Sequence, residues 1–218
     1  MQTKILKTFI ALIGFYYEVL KGRIVDWIKD YYYMQSSLES LVVGVSGGID
    51  SAVVASLCAE TGLPTYVVAM PLNSKHQNTE LSDLHTKQLE EKYDNVTRVQ
   101  VELSSVYESL LHSIQWWSEA QHFEKKEFTS DELTLANTKA RIRMVTLYQI
   151  AGSKKGIVIG TGNKVEDYGI GFFTKHGDGA VDIAPIADLY KTEVWELGKH
   201  LGVDERIVDA IPTDGLWD

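Results

Sequence analysis

The stretch Leu41-Val-Val-Gly-Val-Ser-Gly-Gly-Ile-Asp-Ser51 does most to limit what this chain can become. Leu41 to Val45 are apolar and rich in β-branched residues with no polar alternation, the pattern of a strand buried on both faces of a parallel sheet. Ser46 to Ser51 form a glycine-rich turn. Ala52 to Glu60 continue as an apolar helix that Gly62 and Pro64 end. A buried strand running through a tight turn into a helix belongs to a strand–helix–strand unit, and such a unit needs helices to cover both faces of its sheet.

The rest of the chain repeats that alternation. Thr65 to Met70 read as a second strand, and Thr79 to Tyr93 as a polar helix with Leu81, Leu84 and Leu89 on its buried face. Val96 to Leu103 read as a third strand. Ser104 and Ser105 stand where they would cap a helix carrying Val106, Leu110, Ile114 and Trp117 at helical spacing. Ala120 to Phe128 are polar and charged and read as a mobile loop. Ser130 marks the start of a helix reaching about Ile150, with Gly152 as its stop signal. Gly156 to Thr161 give a fourth strand, Gly162 to Asp188 are glycine-rich and irregular, and Thr192 to Leu201 form a helix with Gly202 behind it. The expected fold class is α/β: a single doubly wound parallel sheet with helices on both faces. With no internal repeat and no Pro-rich linker, one domain is expected. Before it, Ile24 to Tyr33 predict a helix. Ile5 to Leu20, apolar apart from Lys7 and Glu18, predict a helix that packs on the domain or on a second subunit rather than a membrane span.

Charge and cysteine content narrow the function classes. A net charge of -9 argues against a sequence-independent nucleic-acid binder, which needs a basic surface. The single cysteine, Cys58, excludes an internal disulfide, fits a reducing, cytoplasmic setting, and reads as a packing residue on its helix.

The turn itself carries chemistry. Ser46, Gly47 and Gly48 place small residues where backbone must curl around an anion, and the helix behind them offers its positive end. The hydroxyls of Ser46 and Ser51 can donate to phosphate oxygens. Asp50 beside a polyanion calls for a cation, and Mg²⁺ with oxygen ligands answers that. The Gly-Lys-Ser/Thr ending of a Walker loop is missing. Instead the motif resembles the SGGxDS signature of ATP pyrophosphatases, which cleave ATP between its α and β phosphates.

Three further segments accompany it: Asn137-Thr-Lys-Ala-Arg-Ile-Arg-Met-Val-Thr-Leu-Tyr148, Ile159-Gly-Thr-Gly-Asn-Lys-Val-Glu166, and Phe173-Thr-Lys-His-Gly-Asp-Gly-Ala-Val-Asp-Ile-Ala-Pro-Ile-Ala-Asp-Leu-Tyr-Lys191. With the loop, in order and approximate spacing, they resemble the ammonia-dependent NAD synthetases, from about Val25 to the C-terminus. The resemblance implies a Rossmann-like ATP pyrophosphatase fold and a homodimer. It also implies amidation of deamido-NAD to NAD with ATP and ammonia through an adenylated intermediate. The ATP-binding set it implies is Gly44, Val45, Ser46, Gly47, Gly48, Ile49, Asp50, Ser51, Thr161, Lys191 and Thr213. Asp50 and Glu166 would hold Mg²⁺, and with Lys191 they would be the catalytic residues. Arg141, Lys175 and Asp182 would bind deamido-NAD.

On the residues alone, Lys139, Arg141 and Arg143 also read as a solvated basic stripe, Arg143 as a fold-stabilising ion-pair partner, and Asp178 as a turn former in Gly-Asp-Gly. Only 45 residues precede Ser46, too few for the glutaminase domain of glutamine-dependent relatives, so free ammonia is the expected nitrogen donor. The expected organisation is an N-terminal helical extension over 1–22 and the synthetase domain over 23–218, without the family's C-terminal tail. Two rivals stay open: another ATP pyrophosphatase acting on a different acid, and a non-catalytic nucleotide-binding domain.

Overall fold

The computed structural model describes residues 2–72, 76–121 and 128–210. Among them, four strands make one parallel sheet: β1 (Ser40–Val45), β2 (Thr65–Ala69), β3 (Val96–Gln100) and β4 (Gly156–Ile159), in the spatial order β3-β2-β1-β4. Val43 is the register centre, pairing Val67 on one side and Ile159 on the other. The chain winds outward from β1 to β3, then returns to place β4 on the opposite side of β1. The switch point of the sheet therefore lies between β1 and β4, where ligands of open α/β sheets bind.

Helices cover both faces, as the alternation predicted. Leu41, Val43 and Val45 face one core with α1 (Gln2–Met34), α2 (Ile49–Glu60), α3 (His76–Lys92) and α6 (Lys191–Leu201). Val42, Val68 and Val158 face the other, with α4 (Ser104–Ala120) and α5 (Glu132–Ser153). A short α7 (Glu205–Val208) follows α6. In α2 every residue from Ile49 to Ala59 except Asp50 is buried, so it is a core helix rather than an amphipathic one. Cys58 lies inside it, fully buried, with its thiol pushed up to about 12 by desolvation, a packing role as expected.

Several local expectations shift. The helix expected over Ile24 to Tyr33 is continuous with the apolar segment before it, and α1 runs from Gln2 to Met34 without a break. Its inner face, with Tyr17, Leu20, Ile24 and Ile28, packs on the core. Leu103 is the N-cap of α4, and the Ser104 amide is satisfied by the Glu102 carboxylate at 2.9 Å. Asp131, not Ser130, caps α5, accepting from the Thr134 amide at 2.7 Å. Gly152 lies inside α5, which runs on to Ser153; the chain turns instead at Lys155, in left-handed conformation at φ 48°. At the end of α6, Gly202 takes the left-handed cap at φ 75°, as expected. Most of the charged loop expected over Ala120 to Phe128 lies outside the described residues.

Candidate active site

The site is built from the segments directly after β1 and β4. After β1, Gly47 takes a positive φ of 91°, and Gly48 enters α2 as its N-cap. Gly48 has no side chain to cap the helix, so the first-turn amides of α2 lack both an intrahelical carbonyl and a side-chain acceptor from the N-cap. The serines brace the loop: Ser51 Oγ donates to the Gly48 carbonyl at 2.9 Å and accepts from the Ser46 amide at 3.1 Å. The two hydroxyls lie 3.1 Å apart, and Ser46 Oγ accepts from the Gly48 amide at 3.3 Å. The result is a preformed concavity of amides and hydroxyls at a helix N-terminus, suited to an anion. Gly44 and Val45 end the strand beneath it, and Ile49 is buried at the first turn of α2.

After β4 the irregular segment expected over Gly162 to Asp188 contains a π-helix, Lys164–Ile170. Asn163 starts it. Its side-chain oxygen accepts from the amides of Val165 and Glu166 at 3.0 and 3.2 Å, and its side-chain nitrogen donates to Asp50 Oδ1 at 2.9 Å. Asn163 is 0% exposed and ties the two loops together. Thr161 leads into it, half-buried. The wide π-turn aims Glu166 back toward Asp50, and π-turns recur at such functional sites.

Lys191, the first residue of α6, places its ammonium between the two carboxylates. It pairs with Asp50 Oδ2, and with Glu166 Oε1 at 2.9 Å. Burial opposes its charge, but Asp50 and Glu166 more than offset this and raise its pKa above the usual lysine value. Asp167 adds a further carboxyl. Burial first, then Asp178, Glu166 and Asp50, hold it up to about 6. Its carboxylate lies where a Cβ on residue 162 would stand, so a side chain at 162 would displace it.

The structure thus brings together Asp50, Glu166, Lys191 and the Ser46–Ser51 loop, the residues that the resemblance singled out. Arg141 and Lys175 also meet: Arg141 Nε donates to the Lys175 carbonyl at 3.1 Å, docking that loop on α5. Asp182 sits apart from this pair. Its Oδ2 accepts from the Val158 amide at 2.7 Å and its Oδ1 from the Tyr148 hydroxyl at 3.1 Å, holding its segment along the edge of β4. Arg143 is half-buried and donates to the Met70 carbonyl at 3.3 Å, while Lys139 lies over the Tyr107 ring at 5.7 Å. Asp178 accepts from the Thr174 amide at 3.0 Å, which is the turn role its Gly-Asp-Gly setting suggested. Thr213 lies outside the described residues. Sequence reasoning missed Asn163 and Asp167. The signal for Asn163 was its position: a side chain with both donor and acceptor, directly after a buried strand, just before an acid.

Two carboxylates that converge on one ammonium form a hard-oxygen site of the kind that suits Mg²⁺, an ion held by one or two protein carboxylates and completed by phosphate oxygens. Among the described residues no group of three or more His, Cys, Asp or Glu is placed to hold a metal by itself.

Known proteins resemble this chain over most of its length. The family model described as NAD synthase matches residues 20–218. The NH(3)-dependent NAD(+) synthetase of Carboxydothermus hydrogenoformans is 38% identical over 197 residues, covering 90% of this chain and 75% of that protein. Among solved structures, the NMN synthetase of Francisella tularensis superposes with a TM-score of 0.80 at 37% identity, over 92% of this chain and 77% of that one. The NH3-dependent NAD synthetase of Campylobacter jejuni gives a TM-score of 0.74 at 30% identity, over 88% and 76%.

Proposed function

The chain belongs to the NAD synthase family, and on that premise we propose that it amidates deamido-NAD to NAD with ATP and ammonia, releasing AMP and pyrophosphate. One observation supports this best: Asp50, Glu166 and Lys191 converge beside the open N-terminus of α2, at the switch point of the sheet. A non-catalytic nucleotide binder has no use for two acids and a lysine meeting there.

In this reading the loop from Gly44 to Ser51 cradles the ATP phosphates, with Thr161 and Thr213 as further ATP contacts. Asp50 and Glu166 would hold Mg²⁺, whose charge would offset that of the phosphate oxygens. The nicotinate carboxylate oxygen bonds to the α-phosphorus while the bond from that phosphorus to the oxygen bridging it to the β-phosphate breaks. Lys191 leaves its carboxylate partners and stabilises charge on the departing pyrophosphate. Ammonia then bonds to the carbonyl carbon of the acyl adenylate, the bond from that carbon to the AMP oxygen breaks, and the ammonia-derived nitrogen loses one proton to solvent. Arg141, Lys175 and Asp182 orient the nicotinate nucleotide, and positioning supplies much of the acceleration. We further propose a homodimer and a cytoplasmic setting; no helix among the described residues is long and apolar enough to cross a membrane.

A second reading, amidation of the corresponding mononucleotide to NMN, has the Francisella tularensis structure in its favour. Comparing kcat/KM for deamido-NAD and for nicotinate mononucleotide decides between them. Preference for the dinucleotide is expected; preference for the mononucleotide by about tenfold or more, a difference of roughly 1.4 kcal/mol, would establish the second reading.

A further inference from the structure

Family similarity begins at residue 20, yet the helix that carries it begins at Gln2. The segment upstream of residue 20 is therefore additional to what the family model matches, and its contacts are specific. Tyr16 donates its hydroxyl to Glu193 Oε1 at 3.3 Å. Glu18 Oε2 meets His200 Nε2 at 2.8 Å, and Lys21 holds Glu18 from its own helix at 2.9 Å. Both partners lie on α6, one in its first turn and one in its last. Tyr17 and Leu20, between and beyond them, pack on the core.

Glu193 is the point where this matters. Its other oxygen, Oε2, accepts from the Tyr190 amide at 2.9 Å and so closes the first turn of α6. Tyr190 is the residue before Lys191. The Tyr190 carbonyl accepts from the amides of Glu193 and Val194 at 2.9 and 3.0 Å, and its ring lies 4.5 Å from the ammonium of Lys164, in the π-helix that presents Glu166. One carboxylate is thus shared between the N-terminal helix and the cap of the turn that presents Lys191.

From this we infer that Tyr16 and Glu18 are positioning residues: they clamp α6 at both ends and fix the turn from which Lys191 reaches the site. A free carboxylate at Glu193 can rotate away from the Tyr190 amide; one held by the Tyr16 hydroxyl on its second oxygen cannot do so without losing that bond. The Glu18–His200 pair prevents the far end of α6 from swinging and carrying the first turn with it. The consequence for catalysis rests on the reading of Lys191 as an ATP-phosphate ligand; the clamp itself does not.

The test uses the double variant Tyr16→Phe, Glu18→Gln, which keeps both side-chain shapes. Amide hydrogen exchange is followed at Glu193 and Val194 and, as a control, across Ala52 to Cys58 in α2. ATP affinity is measured by calorimetry with Mg²⁺, with Lys191 present and in a Lys191→Met background. Exchange in the first turn of α6 is expected to rise about fivefold, with α2 unchanged. ATP affinity is expected to fall about threefold with Lys191 present and to stay level without it, because effects acting through one residue are not additive. Unchanged exchange at Glu193 and Val194, or an equal rise in α2, overturns the clamp. An equal loss of ATP affinity in both backgrounds overturns its action through Lys191. If first-turn exchange rises but Lys191→Met alone leaves ATP binding unchanged, the clamp stands and the assignment of Lys191 to ATP falls.

Discussion

Replacing Asn163 by leucine removes a buried side chain that joins the two halves of the site while nearly keeping its volume. Two losses can be weighed. The hydrogen bond to the Asp50 carboxylate, at 2.9 Å and from a fully buried amide, is a charge-assisted one worth about 2 kcal/mol. The acceptor for the amides of Val165 and Glu166 is a helix cap, worth about 1 kcal/mol. Together they give about 3 kcal/mol, which for a chain of 218 residues corresponds to a fall in Tm of roughly 6 to 12 °C. Turnover is expected to fall at least about tenfold, since both carboxylates proposed to hold Mg²⁺ lose their orientation. Scanning calorimetry and a steady-state assay on Asn163→Leu measure both quantities. A Tm within about 2 °C of the parent protein, which is less than 1 kcal/mol, would refute the account of Asn163 as the tie between the loops.

Other expectations rest on the same geometry. Asp50→Asn should reduce adenylation at least about a hundredfold with circular dichroism unchanged; parent-like turnover would remove Asp50 from the metal site. Lys191→Met should lower kcat by about a hundredfold or more, read from the pyrophosphate burst, and a change confined to KM would contradict its role in the transition state. Asp204 is held well below the usual carboxylate range by Arg206 and, more weakly, by Gln88. A depressed pKa contributes stability above the unfolded value and loses it as pH falls through the folded value. Asp204→Asn should therefore melt lower than the parent at pH 7, and the two Tm curves should converge as pH drops below about 4; a gap independent of pH would contradict this.

Much of this was legible because two signals are strong in any context. The uninterrupted β-branched run at Leu41 to Val45 and the glycine-rich turn behind it leave little choice but a buried parallel strand entering a helix, and the doubly wound sheet is the outcome. The convergence of Asp50, Glu166 and Lys191 was likewise expected, though from resemblance rather than spacing, since 116 and 25 residues of chain separate them. The misses have physical causes. Gly152 reads as a stop, but a helix end is decided by where the chain must turn to enter β4, and that is Lys155. Ser104 reads as a cap, yet the carboxylate of Glu102 reaches its amide first. The π-helix was invisible because its widening serves tertiary aims, bringing Glu166 toward Asp50, and leaves no period of its own in seven residues. Asn163 looked like one polar residue in a polar loop, and only the fold shows that it is buried.

The most direct test of the central claim is product formation by the purified protein with Mg²⁺, ATP, deamido-NAD and ammonium, run beside a control with glutamine as the only nitrogen source. The account predicts NAD and AMP in equal amounts with ammonium and none with glutamine alone. AMP without NAD, or no reaction of deamido-NAD under any nitrogen source, would contradict it.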